Sequence, residues 1–286
     1  MVKLNVIDDK FVACPLDETK PIIDYNDLSK RLFLEQNKIR KDPQSYIPKL
    51  ESYLSKFQEN ILYLINENPL KTFEGKSAVE EAITFLKFQK PIKELEYNEE
   101  LSLAALDHIK DIGNKGLTSH EGSNGKDLPE RIEKYIEWED LIAESLDFGF
   151  FNPENIILNL LIDDGVKERF QRENLFNEEF NYCGIASGNH RDLNISCVFI
   201  YAKKLRKLGE KCNDGINYIR DYIDKTLNRK AFNNVCQEND IDAPDDTVNV
   251  KVVKEVKKVE GKDKKIMKKI YLLNDTSCHV VEIEEN

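Results

Sequence analysis

The chain has 286 residues, of which 40% are hydrophobic and 33% charged, with a formal net charge of -11. That length and apolar content suit one large domain, or a medium domain with appendages. The acidic balance argues against a general nucleic-acid binder, which is ordinarily basic, and no run approaches the roughly 18–20 apolar residues of a membrane span.

Residues 1–15 hold no apolar stretch followed by a small-residue cleavage site, so the expected setting is intracellular and cytoplasmic. Residues 1–26 contain Pro15 and Pro21 without a hydrophobic period and read as an irregular arm. Asp27 is placed to cap a helix that ends before Asp42-Pro43. Tyr46, Ile47, Leu50 and Leu54 form the apolar stripe of a second helical region, residues 46–66, closed by Asn68-Pro69. Ser77 and Glu80 read as a capping box. The helix they open puts Val79, Ala82, Ile83 and Leu86 on one face, and Pro91 stops it.

Asn98 caps a further helix, with Leu101, Ala104, Ala105, His108 and Ile112 at helical spacing. His108 lies on that apolar face and reads as a packed core histidine. A short helix follows near residues 129–136. Asn152-Pro153 opens the next, a capping side chain followed by proline at the first helical position. Its core face holds Ile156, Ile157, Leu160 and Leu161. Residues 182–187 and 195–202 read as a hairpin about a turn at Gly188-Asn189. Ile216, Ile219, Ile223 and Leu227 mark one more helix.

The six cysteines form no CxxC pair, which argues against a zinc knuckle. Cys183 and Cys197 flank the hairpin turn and read as small buried residues.

Residues 237–246, QENDIDAPDD, read as an acidic linker. Beyond it, residues 247–259, 264–273 and 279–285 read as a three-stranded β-meander. Nine lysines fall in its first two strands and the turn between them: Lys251, Lys254, Lys257, Lys258, Lys262, Lys264, Lys265, Lys268 and Lys269. They read either as charges that blunt edge strands or as a docking arm for an acidic partner. With Tyr271 the one aromatic nearby, no stacking platform for a specific nucleic acid is expected. Forty residues are too few for a robust core, so the meander is expected to lean on something, in cis or in trans. The expected division is therefore an arm at 1–26, a domain at 27–236 with N-terminal helices and a trailing helix, the linker, and the meander at 247–286.

The stretches YNEELSLAALDHIKDIGNKGLTSHEGSNG (97–125), IAESLDFG (142–149), LLIDDGV (160–166) and NLFNEEFNYCGIASGNHRDLNISCVFIYA (174–202) are ordered and spaced as in a CAP domain. This is the superfamily of cysteine-rich secretory, antigen 5 and pathogenesis-related proteins, and the chain is most similar to an intracellular variant familiar from protists. Residues 33–54 and 74–95 extend the resemblance, which covers about residues 28–203. It implies an α+β fold, a CAP-like α-β-α sandwich with a central antiparallel sheet, here followed by the C-terminal β-meander. It also implies a cleft that in many members carries two histidines and two acids able to hold a divalent metal. Protease, lipid or sterol binding and protein–protein recognition have all been proposed for the superfamily.

Under that resemblance His120 matches the first histidine and Glu144 the glutamate. Asp163 and Asp164 fall where an acid is found, without a choice between them. The second histidine falls at position 171, where this chain has Gln171, preceded by Phe170 in place of glycine. A neutral amide is a poor zinc ligand and no general base near neutral pH. The expectation is therefore a non-catalytic structural or interaction protein without a cofactor, on an acidic partner such as tubulin or another axonemal protein of a ciliary microtubule assembly. Two alternatives stand beside it: a zinc-dependent hydrolase on the reduced His120–Glu144 site, and a lipid- or sterol-binding module.

Overall fold

The computed structural model describes residues 23–209 throughout and, outside them, the backbone strands at 5–8, 11–13, 247–259, 262–273 and 278–285. The helix expected from Ile216 to Leu227 and the linker at 237–246 lie outside the described residues.

Two short strands, β1 (Asn5–Asp8) and β2 (Phe11–Ala13), pair as a hairpin inside the arm expected to be irregular. Helix α1 (Tyr25–Lys41) starts two residues earlier than expected. Its cap is Asp24, whose carboxylate accepts from the Asn26 and Asp27 amides. A 3-10 turn (Pro43–Tyr46) leads into α2 (Ile47–Leu54). The second helical region is thus shorter than expected: after Leu54 the chain folds into the small strands β3 (Phe57–Gln58), β4 (Ile61–Leu62) and β5 (Leu70–Lys71). Glu59, at φ 53°, makes the reversal between the first two.

Helix α3 (Lys76–Phe88) begins at Gly75, and the expected capping box is not formed; Ser77 Oγ donates to the Glu74 carbonyl instead. Strand β6 (Glu96–Tyr97) precedes α4 (Glu99–Lys115), where Asn98 Oδ1 accepts from the Leu101 amide at 2.8 Å as expected. Then come α5 (Leu128–Ile132), β7 (Glu137–Phe148), α6 (Pro153–Ile162) capped by Asn152, α7 (Phe170–Phe176), β8 (Tyr182–His190) and β9 (Asn194–Arg206). The β8–β9 turn sits at residues 191–193, not at Gly188-Asn189, which are paired inside the ladder. Cys183 and Cys197 accordingly face Tyr201 and Ser187, four rungs apart, and both are buried free thiols.

The strands β10 (Thr247–Val259), β11 (Lys262–Leu273) and β12 (Cys278–Glu285) extend the same sheet, whose order is β12-β11-β10-β7-β9-β8-β6. The meander leans in cis: Lys251, Val252 and Val253 pair with Ala143, Ile142 and Leu141.

Side chains alternate across a strand, and the sheet buries an apolar cluster on each face. One face packs on α1, α2, α3, α6 and α7 through residues such as Leu32, Leu50, Leu86, Ile157, Leu161 and Phe199. The other packs on α4 and α5 through Leu101, Ile112, Leu128, Ile132, Trp138 and Val198. Full burial of each large apolar side chain contributes about 1.5–3 kcal/mol. Helix α4 lies unusually close to β8, because Gly184 faces Leu101 and the Ser102 amide where a Cβ would collide. That approach holds α4, and with it His108, against the sheet. The α+β sandwich expected from the sequence is the observed architecture.

Candidate functional site

Strand β7 carries Glu144, and alternation directs it to the α4–α5 side of the sheet. It is fully buried, a position a carboxylate holds only with charged or hydrogen-bonding partners. It has them. His120 Nδ1 donates to Oε1 at 2.9 Å, and Arg131 Nη2 donates to Oε2 at 2.6 Å. His108 Nε2 lies 3.9 Å from Oε1 and itself donates to the Ser119 carbonyl at 3.0 Å.

The loop that delivers His120 is held at each step. Gly116 closes α4 at φ 69°, a left-handed value that glycine adopts at least cost. His190 Nε2 donates to the Leu117 carbonyl at 3.0 Å. Asp111 accepts from the Ser123 amide and hydroxyl, both at 2.6 Å. Arg131 Nη1 reaches back to the His120 and Lys126 carbonyls at 2.9 and 3.1 Å. Asp127 and Glu130 form a capping box that sets the start of α5 and so the position of Arg131.

Burial alone pushes the Glu144 carboxyl up. The charges of Arg131 and His108 and the His120 hydrogen bond outweigh it and hold the group down at about 2. Burial takes His108 down to about 4, against the pull of Glu144. Glu144 is thus permanently ionised near neutral pH. A general base works best with a pKa near the operating pH, so Glu144 is far too weak a base for that task.

Position 171 does something else. Gln171 Oε1 accepts from the Leu146 amide at 3.0 Å, while Nε2 donates to Asp163 Oδ1 at 3.2 Å. Its own amide donates to Asp163 Oδ2 at 2.8 Å. One turn along α7, Asn174 Nδ2 donates to the Glu144 carbonyl at 3.3 Å and Ser145 Oγ at 3.2 Å. The Glu144 carbonyl and Leu146 amide are the groups a neighbouring strand would pair. The edge of β7 is therefore covered in two stages, by β10 at 141–143 and by two α7 side-chain amides at 144 and 146. Arg169, the residue at φ 54° before α7, fixes this helix by donating to the Asp163 and Val166 carbonyls and to Glu74 and Glu81.

Asp163 is buried, and burial raises its carboxyl to about 6 against the opposing Gln171 hydrogen bonds. Asp164 is turned away, accepting from the Phe73 and Glu74 amides at 2.6 and 2.9 Å. So the structure joins His120 to Glu144 and Gln171 to Asp163, and the two pairs meet β7 at Glu144 and Leu146. Sequence reasoning missed Arg131 and assigned His108 to the core alone. Arg131 lies on the same side of α5 as Leu128 and Ile132, at helical spacing, and a cation on such a face signals a buried acid opposite.

The donor set does not fit a divalent cation. Arg131 already supplies the positive charge on Glu144, and an amide stands at 171. Among the described residues no group of three or more His, Cys, Asp and Glu side chains is arranged to hold a metal, and no helix is long and apolar enough to cross a membrane.

A family model described as the cysteine-rich secretory protein family, CAP, matches residues 37–201, more than half of the chain. Among curated proteins no significant match is found. Two solved structures are similar in part. An outer surface protein from Borrelia burgdorferi shares 20% identity over 45% of this chain and 90% of its own, at a TM-score of 0.35. An extracellular protein containing an SCP domain, from Bacillus anthracis, shares 17% over 46% of this chain and 42% of its own, at 0.32.

Proposed function

The chain belongs to the cysteine-rich secretory protein (CAP) family, and from that premise we propose that it is a non-catalytic structural or interaction protein. One observation carries the reading: both Glu144 oxygens are spent on His120 and Arg131, and both polar atoms of the Gln171 side chain on Leu146 and Asp163. Such groups are committed to the fold, where a reacting site keeps an open position. A hydrolase would need Glu144 released from Arg131. Turnover of ester or peptide substrates that requires added zinc and is abolished in Glu144→Gln would reverse this reading.

The partner in this reading is a protein with an acidic surface, met by the lysine-bearing strands β10 and β11. Its support is charge: nine lysines against Glu255, Glu260 and Asp263 between residues 247 and 273, on a chain of net charge -11. A microtubule surface, as in a cilium, is the first assembly to test. In co-sedimentation the full chain should pellet with polymerised tubulin at low salt and be released as salt rises. A chain that stays in the supernatant at every salt concentration would remove the microtubule from consideration.

A further inference from the structure

We infer that the docking surface for an acidic peptide segment is one face of the β10–β11 tip, centred on Lys257, Lys262 and Lys264; this rests on the acidic-partner reading above. The ladder sorts the nine lysines onto two faces. Lys251, Lys257, Lys262, Lys264 and Lys268 share one, and Lys254, Lys258, Lys265 and Lys269 the other.

The two faces differ in what stands opposite the lysines near the β10–β11 tip. On the second, Lys258 stands opposite Asp263 and Lys265 opposite Glu285. On the first, Lys268 stands opposite Glu282 and the acids Glu255 and Glu284 both flank Ile266, but Lys257 stands directly opposite Lys264, and Lys262 stands opposite Val259. Like charges on one rung oppose strand pairing. The Lys257–Lys264 rung therefore works against the hairpin that carries it, with Lys262 adding to the charge of that end, and an anionic partner relieves the repulsion.

Placement leaves this tip available. Among the described strands, the pairs with β7 stop at Val253 and those with β12 at Lys265, so residues 254–259 and 262–264 pair only with each other. The acids of β7 that lie nearest along the ladder already have cations: Glu137 and Glu139 with Arg206, and Asp140 with Lys204. The lysine face continues the side of the sheet that holds Ala143, opposite the Glu144 side. Docking there leaves the buried network untouched.

The test uses the full chain and a fluorescent oligoglutamate peptide, read by anisotropy at physiological ionic strength. Lys257→Glu/Lys264→Glu and Lys254→Glu/Lys269→Glu change net charge equally. The first should lose about tenfold or more in affinity and the second roughly threefold or less, since each surface charge pair contributes modestly. The single Lys257→Glu should bind more weakly yet melt higher, because it replaces a like-charge rung by an opposite-charge one. Equal losses in both double variants would overturn the face assignment while leaving the acidic-partner reading intact. Undiminished binding in both would place the contact elsewhere on the chain. A wild-type chain that ignores the peptide but binds anionic vesicles or RNA would sink the acidic-partner reading itself.

Discussion

Arg131 and Glu144 form a buried ion pair, with Nη2 2.6 Å from Oε2, on the carboxylate oxygen that His120 does not use. Removing one member of such a pair strands the other. Arg131→Met is expected to cost about 3–5 kcal/mol. Arg131→Met/Glu144→Gln should recover a large part of it, and a double-mutant cycle by urea unfolding gives the coupling. Additive losses would mean the pair is not coupled as described.

The same network sets an acid limit. Glu144 is held at about 2 against an ordinary 4.5, so the folded state binds fewer protons there than the unfolded one. Its contribution is present above 4.5 and is lost as pH falls toward 2, up to about 3 kcal/mol. His108 has the same sign, with stability lost as pH falls from 6.5 toward 4. Replacing His108 by Gln should flatten the upper of these two windows in a Tm-against-pH series and narrow the lower one, which Arg131 and His120 still maintain.

Asp163 runs the other way. Its carboxyl is raised to about 6 from 3.8, so the folded state favours its proton and its contribution fades as pH rises through 6. In Asp163→Asn the stability difference from wild type should change across pH 4–6 and be flat above 7. A difference that is constant from pH 4 to 7 would mean the carboxyl is not perturbed. Asn suits the left-handed φ of 50° there.

Gln171→Ala leaves the Leu146 amide without its acceptor, an expected loss of about 1–3 kcal/mol. Gln171→His should not create a tight zinc site, because Arg131 still occupies Glu144. Calorimetry that finds stoichiometric zinc binding in that single variant would show Arg131 yielding to the metal.

Gly184→Ala forces α4 away from β8 at Leu101 and Ser102, with an expected cost of about 1–3 kcal/mol or more. Because α4 carries His108, the acid unfolding profile should shift along with the Tm.

Much of this was legible where signals are local. Asn98 and Asn152 cap the helices they announce, and His120, Glu144 and Gln171, singled out in the sequence, do gather about strand β7. What was not legible depends on partners distant in sequence. Strand β7 buries Ser145 and Asp147 as deeply as its apolar residues, so no alternation marks it. Those polar groups fit only because Asn174 and Asn159 meet them in space. The region after Leu54 carries enough apolar residues to extend a helix, yet Phe57, Leu62 and Leu64 reach the core from two short strands and the loop that follows them. Arg131 lay in plain view as a charge and acquired meaning only when its acid was located.

The two-stage cover of the β7 edge matters for anyone shortening the chain. Without residues 247–286, Leu141, Ile142 and Ala143 lose the ladder that β10 gives them, while the α7 amides still shield only positions 144 and 146. Three adjacent apolar residues with bare amides and carbonyls make a template for pairing between molecules. A truncated protein is therefore expected to clump with rising concentration, and its failure to hold a partner would report that clumping rather than a missing contact. Charge-swapped full-length chains keep the seam closed.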